Sequence, residues 1–173
     1  MDATGLEHTV GRLFLAGMEN GYRGQKALAE RALAQLDDAD WHRTLDAGGN
    51  SIAVIVRHVA GNLRSRWRDF LTSDGEKPDR RRDDEFEPGG QAVSAMLEEW
   101  QAGFDEVLET LARLTPADLT RTVTIRGKAL GVVDAILRNY DHTGHHVGQV
   151  VFLAKHWRGD AWQTLSIPRK GKG

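Results

Sequence analysis

The stretch LGVVDAILRNYDHTGHHVGQVVFLAKHW, residues 130–157, decides the fold. Val132, Val133, Ile136, Leu137, Tyr140, Val147, Val150, Val151 and Ala154 fall on one side of a helix running from about Leu130 to Trp157. Lys155, His156 and Arg158 sit at its end, where cations complement the helix dipole. Such a stripe needs other apolar faces to bury it, and the rest of the chain supplies them.

Leu6 to Leu36 carries Leu13, Phe14, Met18, Tyr22, Leu28, Leu33 and Leu36 at loose helical spacing and reads as a first helix, weakened locally by Gly17, Gly21 and Gly24. A polar connection from Asp37 to Gly49, which includes Trp41, follows. Asn50 is a good N-cap for a second helix, in which Ile52, Ile55, Val56, Val59, Leu63, Trp67, Phe70 and Leu71 keep the period to about Thr72. Val93, Met96, Leu97, Trp100, Phe104, Val107, Leu108, Leu111 and Leu114 define a third. Thr115-Pro116-Ala117-Asp118 reads as a cap with proline at the first helical position, opening one short turn. Val123 to Ile125 suits a brief extended piece before Gly127, and the tail 159–173, with Pro168 and a basic end, suits irregular chain.

Four long amphipathic helices predict an all-α four-helix bundle. Residues 1–173 fit one domain, which at this length hides roughly 70% of its unfolded surface. Between helices two and three, Ser73 to Gly90 is charged, holds Pro78 and Pro88, and has no periodicity. Extended, it reaches ~55 Å, against ~35 Å for the second helix. It can therefore run back along the whole bundle and leave helices two and three parallel, an up-down-down-up order. A long loop between antiparallel neighbours satisfies the same length.

With no cysteine, the chain can form no disulfide, thiolate zinc site or cysteine nucleophile, so any transition metal must be held by histidine and carboxylate. Lys+Arg 23 against Asp+Glu 25 gives a formal charge of -2, which argues against general nucleic-acid binding. No window approaches the ~20 apolar residues of a membrane span. Met1-Asp2-Ala3-Thr4 lacks a basic then apolar leader, so a cytoplasmic protein with no membrane partner is expected. Arg64, Arg66, Arg68 and Arg80-Arg81-Arg82 are interleaved with or followed by acids and read as solvated surface.

Seven histidines are present. His142 and His146 lie four apart, so their side chains sit ~6 Å apart along the axis and ~40° apart around it, within reach of one ion. His145 offers a competing pair with His142. On a helical wheel His146 falls roughly 90° from the core direction, His142 roughly 130° and His145 roughly 170°, which turns His145 to solvent. A third ligand must come from elsewhere, and His58 is the only histidine inside another convincing helix, roughly 130° from its own stripe. A flank site open to water results. Three neutral imidazoles with exchangeable positions left over is a catalytic rather than a structural arrangement. On spacing alone, ordinary surface histidines satisfy the pattern equally, since a four-residue interval arises often by chance.

His8, His42 and His156 read as surface or packing residues, and Trp67, Trp100 and Trp157 as core. Asn62, one turn from His58, and Gln149, one turn from His146, could orient a ligand or water, although plain solvent exposure is the simpler expectation for both. Gly144 and Gly148 permit close approach of a helix or ligand around His146. Asp141 is turned ~100° from His142, and no carboxylate is assigned as a general base.

Asn50-Ser51-Ile52-Ala53-Val54-Ile55-Val56-Arg57-His58, Gly61-Asn62 and the run Ser65 to Lys77 resemble the DUF1572 branch of the DinB superfamily. So do His142-x-x-x-His146-Val147-Gly148-Gln149-Val150-Val151 and Trp162-Gln163-Thr164-Leu165-Ser166-Ile167-Pro168. The resemblance covers most of the chain and is weakest in helices one and three. It implies a four-helix bundle in the up-down-down-up order, a three-histidine metal site falling on His58, His142 and His146, and a homodimer. Family members often carry an aromatic residue where His145 stands.

The resemblance implies a metal-dependent enzyme, either a thiol-dependent S-transferase or a hydrolase, acting on a small molecule or low-molecular-weight thiol. The alternative is a non-catalytic metal-binding stress-response protein. The cofactor is a divalent transition metal, with zinc and nickel leading, although imidazole also suits iron and copper.

Overall fold

The structure, a computed structural model, describes residues 3–87 and 90–167. Among these lie five α-helices: α1 (Ala3–Leu33), α2 (Asp38–Trp41), α3 (Ile52–Trp67), α4 (Val93–Arg113) and α5 (Val132–Arg158). Strands β1 (Thr122–Ile125) and β2 (Lys128–Gly131) form one small antiparallel hairpin. Pro88 and the basic end of the expected tail, residues 168–173, lie outside the described residues.

Ser51 rather than Asn50 caps α3, its hydroxyl accepting from the Val54 N–H at 3.3 Å. The helix also ends earlier than the apolar period suggests, at Trp67 rather than Thr72. Asp69 takes a left-handed φ of 50° that no α-helix continues through, and its carbonyl then accepts the N–H groups of Thr72 and Ser73, both at 3.0 Å. Phe70 is buried all the same, so periodicity had registered burial, not helix. Pro116–Thr120 forms the expected short turn as a 3-10 helix. The single turn of α2, within the polar connection, buries Trp41.

The extended piece at Val123–Ile125 exists, but it has a partner. Lys128–Gly131 pairs with it, so Leu130 is strand and the last helix starts at Val132. Arg126 and Gly127 make the two-residue turn between the strands with φ of 54° and 71°, the handedness that matches strand twist.

Helix directions follow from which residues meet. A Cβ at Gly103 would lie 3.2 Å from the carbonyl of Ala60, and further along both helices the Thr110 hydroxyl donates to the Trp67 carbonyl at 3.4 Å. Both contacts advance together, so α3 and α4 are parallel. Tyr22 meets Asn139, and Asp37 meets Arg158, so α1 and α5 are parallel too. Trp67 meets Asn139 while His58 meets His142, so α3 and α5 are antiparallel. The bundle is up-down-down-up.

Trp67, Trp100, Tyr22 and Phe104 fill its centre, with Tyr22 edge-on to Trp67 at 5.7 Å. A polar chain crosses this core. Trp67 Nε1 and the Tyr22 hydroxyl donate to Asn139 Oδ1 at 2.7 and 2.9 Å, and Asn139 Nδ2 donates to Asn62 Oδ1 at 2.8 Å. Buried polar groups are costly unless paired, so these contacts lock α1, α3 and α5 in one relative position beside the histidines.

The charged crossover between α3 and α4 is fixed by specific contacts. The Asp74 carboxylate accepts the backbone N–H groups of Glu76, Arg126 and Gly127 at 2.7, 2.8 and 2.8 Å, tying the crossover to the hairpin turn. These donors hold the Asp74 pKa below its usual value. The Ser65 hydroxyl donates to the Gly75 carbonyl at 2.9 Å and accepts the Lys77 N–H at 3.1 Å. A 3-10 turn at Asp83–Phe86 then passes over α3.

Candidate metal centre

α3 contributes His58, and two successive turns of α5 contribute His142 and His146. The Nε2 atom of His142 lies 3.2 Å from Nε2 of His58 and 3.2 Å from Nε2 of His146. The ligand atoms of all three lie within 4.8 Å of one another. Two imidazole nitrogens on one tetrahedral zinc, each about 2.0–2.1 Å from the metal, sit about 3.3 Å apart.

The protons say more than the distances. His58 Nδ1 is 2.9 Å from Glu85 Oε2, and an ionised carboxylate only accepts, so in the neutral ring the proton belongs on Nδ1 and Nε2 carries a lone pair. His146 Nδ1 faces Gln149 Oε1 at 2.7 Å, with the same consequence for its Nε2. His142 Nε2 thus stands between two lone pairs and can offer one proton at most. Its Nδ1 is buried with no hydrogen-bond partner among the described residues. A shared cation satisfies what protons cannot, and the three residues fit a metal ion.

Electrostatics agree. Burial, reinforced by His146, His58 and nearby arginines, lowers the His142 pKa to about 4. Burial lowers that of His146 as well, outweighing the Gln149 hydrogen bond. Both rings are neutral at pH 7, the form in which imidazole coordinates a metal.

The wheel placed His58 on a flank open to water, but it is only 6% exposed. The crossover covers it: Phe86 packs on the ring at 4.9 Å between centroids, and Glu85 occupies Nδ1. His142 and His146 are half-buried. His145 is exposed, as expected, and stands outside the cluster. His8, His42, His156 and Asp141 are exposed also.

Glu85 is the residue that sequence reasoning missed. Its oxygens are gripped by Arg80, Nε to Oε1 at 2.8 Å and Nη2 to Oε2 at 2.9 Å. Burial raises its pKa, but the bonds from His58 and Arg80 outweigh burial and leave it below the usual value. A Cβ at Gly61 would collide with Glu85 Oε1, so that glycine is what lets the carboxylate approach α3.

Three other expectations change. Asn62 is buried rather than exposed, because its side chain ends the polar chain from Trp67. Arg66 and Arg80 are not free surface charges: they are largely enclosed, paired with Glu76 and Glu85, and line a cavity of about 190 Å³ beside His58 and His142. Of the two small residues around His146, Gly144 is approached closely by Gln25 while Gly148 has open space above it. Gln149 is exposed, yet it orients His146.

Fold and site together define a class: a helical bundle in the up-down-down-up order whose three-histidine cluster could hold a metal ion. The profile of the family described as a protein of unknown function, DUF1572, matches residues 9–171, and the chain belongs to that family. No curated protein matches it. No helix among the described residues is long and apolar enough to cross a membrane.

Proposed function

We propose that His58, His142 and His146 hold a divalent transition metal, zinc or nickel, and that the protein is a metal-dependent enzyme acting on a small molecule. One observation carries the reading: three Nε2 atoms converge, and with the rings neutral at most one proton lies among them. The bundle order and the histidine set support placement in the DinB superfamily, whose thiol-dependent S-transferases suggest the reaction class.

When bound, a divalent ion with an open position lowers the pKa of a water or thiol there. The protein's own groups do the rest. Glu85 keeps a proton on His58 Nδ1 and so directs Nε2 inward, Gln149 does the same for His146, and Phe86 shields the His58 ring from water. Both oxygens of Glu85 are engaged, which leaves it no role as a free base. That favours thiol transfer over hydrolysis, because a thiol, with a pKa of about 8.5, surrenders its proton far more readily than water.

The same engagement of Glu85 keeps a second reading alive, a non-catalytic metal-binding stress-response protein. A homodimer is supported by Leu6, Val10 and Leu13, which leave an exposed apolar stripe on α1. The charge of -2 lends no support to DNA binding.

Elemental analysis of the purified protein, followed by a screen of small thiols with electrophilic acceptors and of hydrolase substrates, tests the proposal. Turnover that tracks metal content and vanishes in His58→Ala supports the enzyme. Stoichiometric metal without turnover across the screen favours the second reading. Protein prepared with metal in excess that nonetheless carries none sinks both.

A further inference from the structure

The cavity beside His58 and His142 is walled by Arg66, Arg80, Arg82, Arg126 and Arg138, with no carboxylate in its lining. Two acids brace it from behind. Glu76 pairs with Arg66 at 3.0 Å and Arg126 at 2.7 Å, and Glu85 holds Arg80. Arg82 pairs with the exposed Asp83 at 3.4 Å and lies over the Phe86 ring at 5.0 Å, and Arg138 has no ion pair among the described residues. Five guanidinium groups against the three paired carboxylates Glu76, Glu85 and Asp83 leave the cavity with an excess of positive charge.

Asn62 gives this charge a direction. The Trp67 indole nitrogen can only donate, so Asn139 must present Oδ1 to it. Asn139 then turns Nδ2 toward Asn62, which must answer with its own Oδ1. The Asn62 amide nitrogen is what remains. It belongs to a side chain in the cavity wall that is 8% exposed, and it makes no hydrogen bond among the described residues. A donor in the cavity wall that no protein group engages is open to an incoming acceptor, and a bond to an anion is stronger than one to a neutral group.

We propose that this cavity binds the carboxylate or phosphate group of a small-molecule substrate through the Asn62 amide and the guanidinium groups of Arg126 and Arg138. At about 190 Å³ it is smaller than the roughly 300–1,000 Å³ of pockets that enclose whole ligands, so it takes one charged group. The remainder of the substrate extends past His142. Only that last statement rests on the metal-centre reading; the anion site stands on its own residues.

Calorimetric titration of the zinc-free and zinc-loaded protein with succinate, inorganic phosphate and neutral succinamide tests it. Saturable binding of succinate or phosphate is expected, with succinamide at least about tenfold weaker, and the preferred anion identifies the group. Asn62→Asp keeps the acceptor for Asn139 but puts negative charge where the free amide was. It and the surface change Arg138→Gln should each weaken anion binding about tenfold or more. His146→Ala, outside the cavity lining, should lose zinc uptake and keep anion binding in the zinc-free protein. No saturable binding, or anion binding that tolerates both Asn62→Asp and Arg138→Gln, overturns the proposal. Anion binding in a wild-type protein that takes up neither zinc nor nickel overturns the metal reading instead.

Discussion

Glu85 Oε2 lies 2.9 Å from Nδ1 of His58, and the same carboxylate is held from the other side by Arg80. This pairing fixes which nitrogen of His58 is bare. Glu85→Gln keeps the size but weakens acceptance, and Glu85→Ala removes it. Metal affinity, read by competition against a chelating dye, should fall within the 10–100-fold range typical of such orienting partners, with alanine the worse. Unchanged affinity in both would show that His58 is oriented by packing alone.

Zinc or nickel should stabilise the fold by mass action. At about a hundred times the dissociation constant the gain is about 2.7 kcal/mol, which for a chain of this size raises the melting temperature by roughly 5–10 °C. The rise should be lost in His58→Ala, His142→Ala and His146→Ala and retained in His145→Ala, whose ring is exposed and outside the cluster. An equal loss in His145→Ala would redraw the ligand set.

Acid should destabilise the metal-free protein. The His142 pKa is lowered to about 4 in the folded state and lies near 6.5 unfolded, so between those values the unfolded chain binds more protons. Stability is full above about pH 6.5 and declines as pH falls toward 4, with His146 adding in the same direction. Denaturant titrations of chelator-treated protein across that window check the slope, and His142→Gln should flatten it. A slope that survives His142→Gln unchanged would assign the effect to other groups.

Two glycines should respond oppositely to alanine. At Gly103 the added Cβ meets the Ala60 carbonyl at 3.2 Å and Leu63 Cβ at 3.3 Å, so a loss of about 1–3 kcal/mol is expected. At Gly24, inside α1, nothing lies within 4 Å, and helix propensity should yield a gain of about 1 kcal/mol. Equilibrium unfolding of both variants measures the pair.

Asp74→Ala should release the crossover from the hairpin, since three backbone donors lose their acceptor. Hydrogen exchange at Glu76, Arg126 and Gly127 should accelerate while the centre of α4 stays protected. Protection that persists at Arg126 and Gly127 would mean the hairpin holds its turn unaided.

What was legible in the sequence is what period and spacing encode. The stripe of α5 and the i, i+4 pair His142 and His146 are local, and His58 stood out as the one histidine inside another helix. Helix ends were less legible: Phe70 and Leu71 continue the apolar period of α3 although Asp69 has already turned the chain. Glu85 left no signal at all. It lies 27 residues from His58 in an aperiodic charged stretch, and only the tertiary path of the crossover brings the two together. Arg80 and Asn62 were misjudged for the same reason, because a polar residue looks solvated until the group that buries it is known.

The path of the crossover also decides what surrounds the histidines. The histidines ride on α3 and α5, locked to each other by Asn62, Asn139, Trp67 and Tyr22, whereas the segment from Asp74 to Phe86 supplies Arg80, Arg82, Glu85 and the anchor for Arg126. The cavity wall is therefore assembled from both: Asn62 and Arg138 come from the helices that carry the histidines, Arg80 and Arg82 from the crossover. A substitution at Arg82 alters one side of that wall and leaves the helices that carry the histidines as they are.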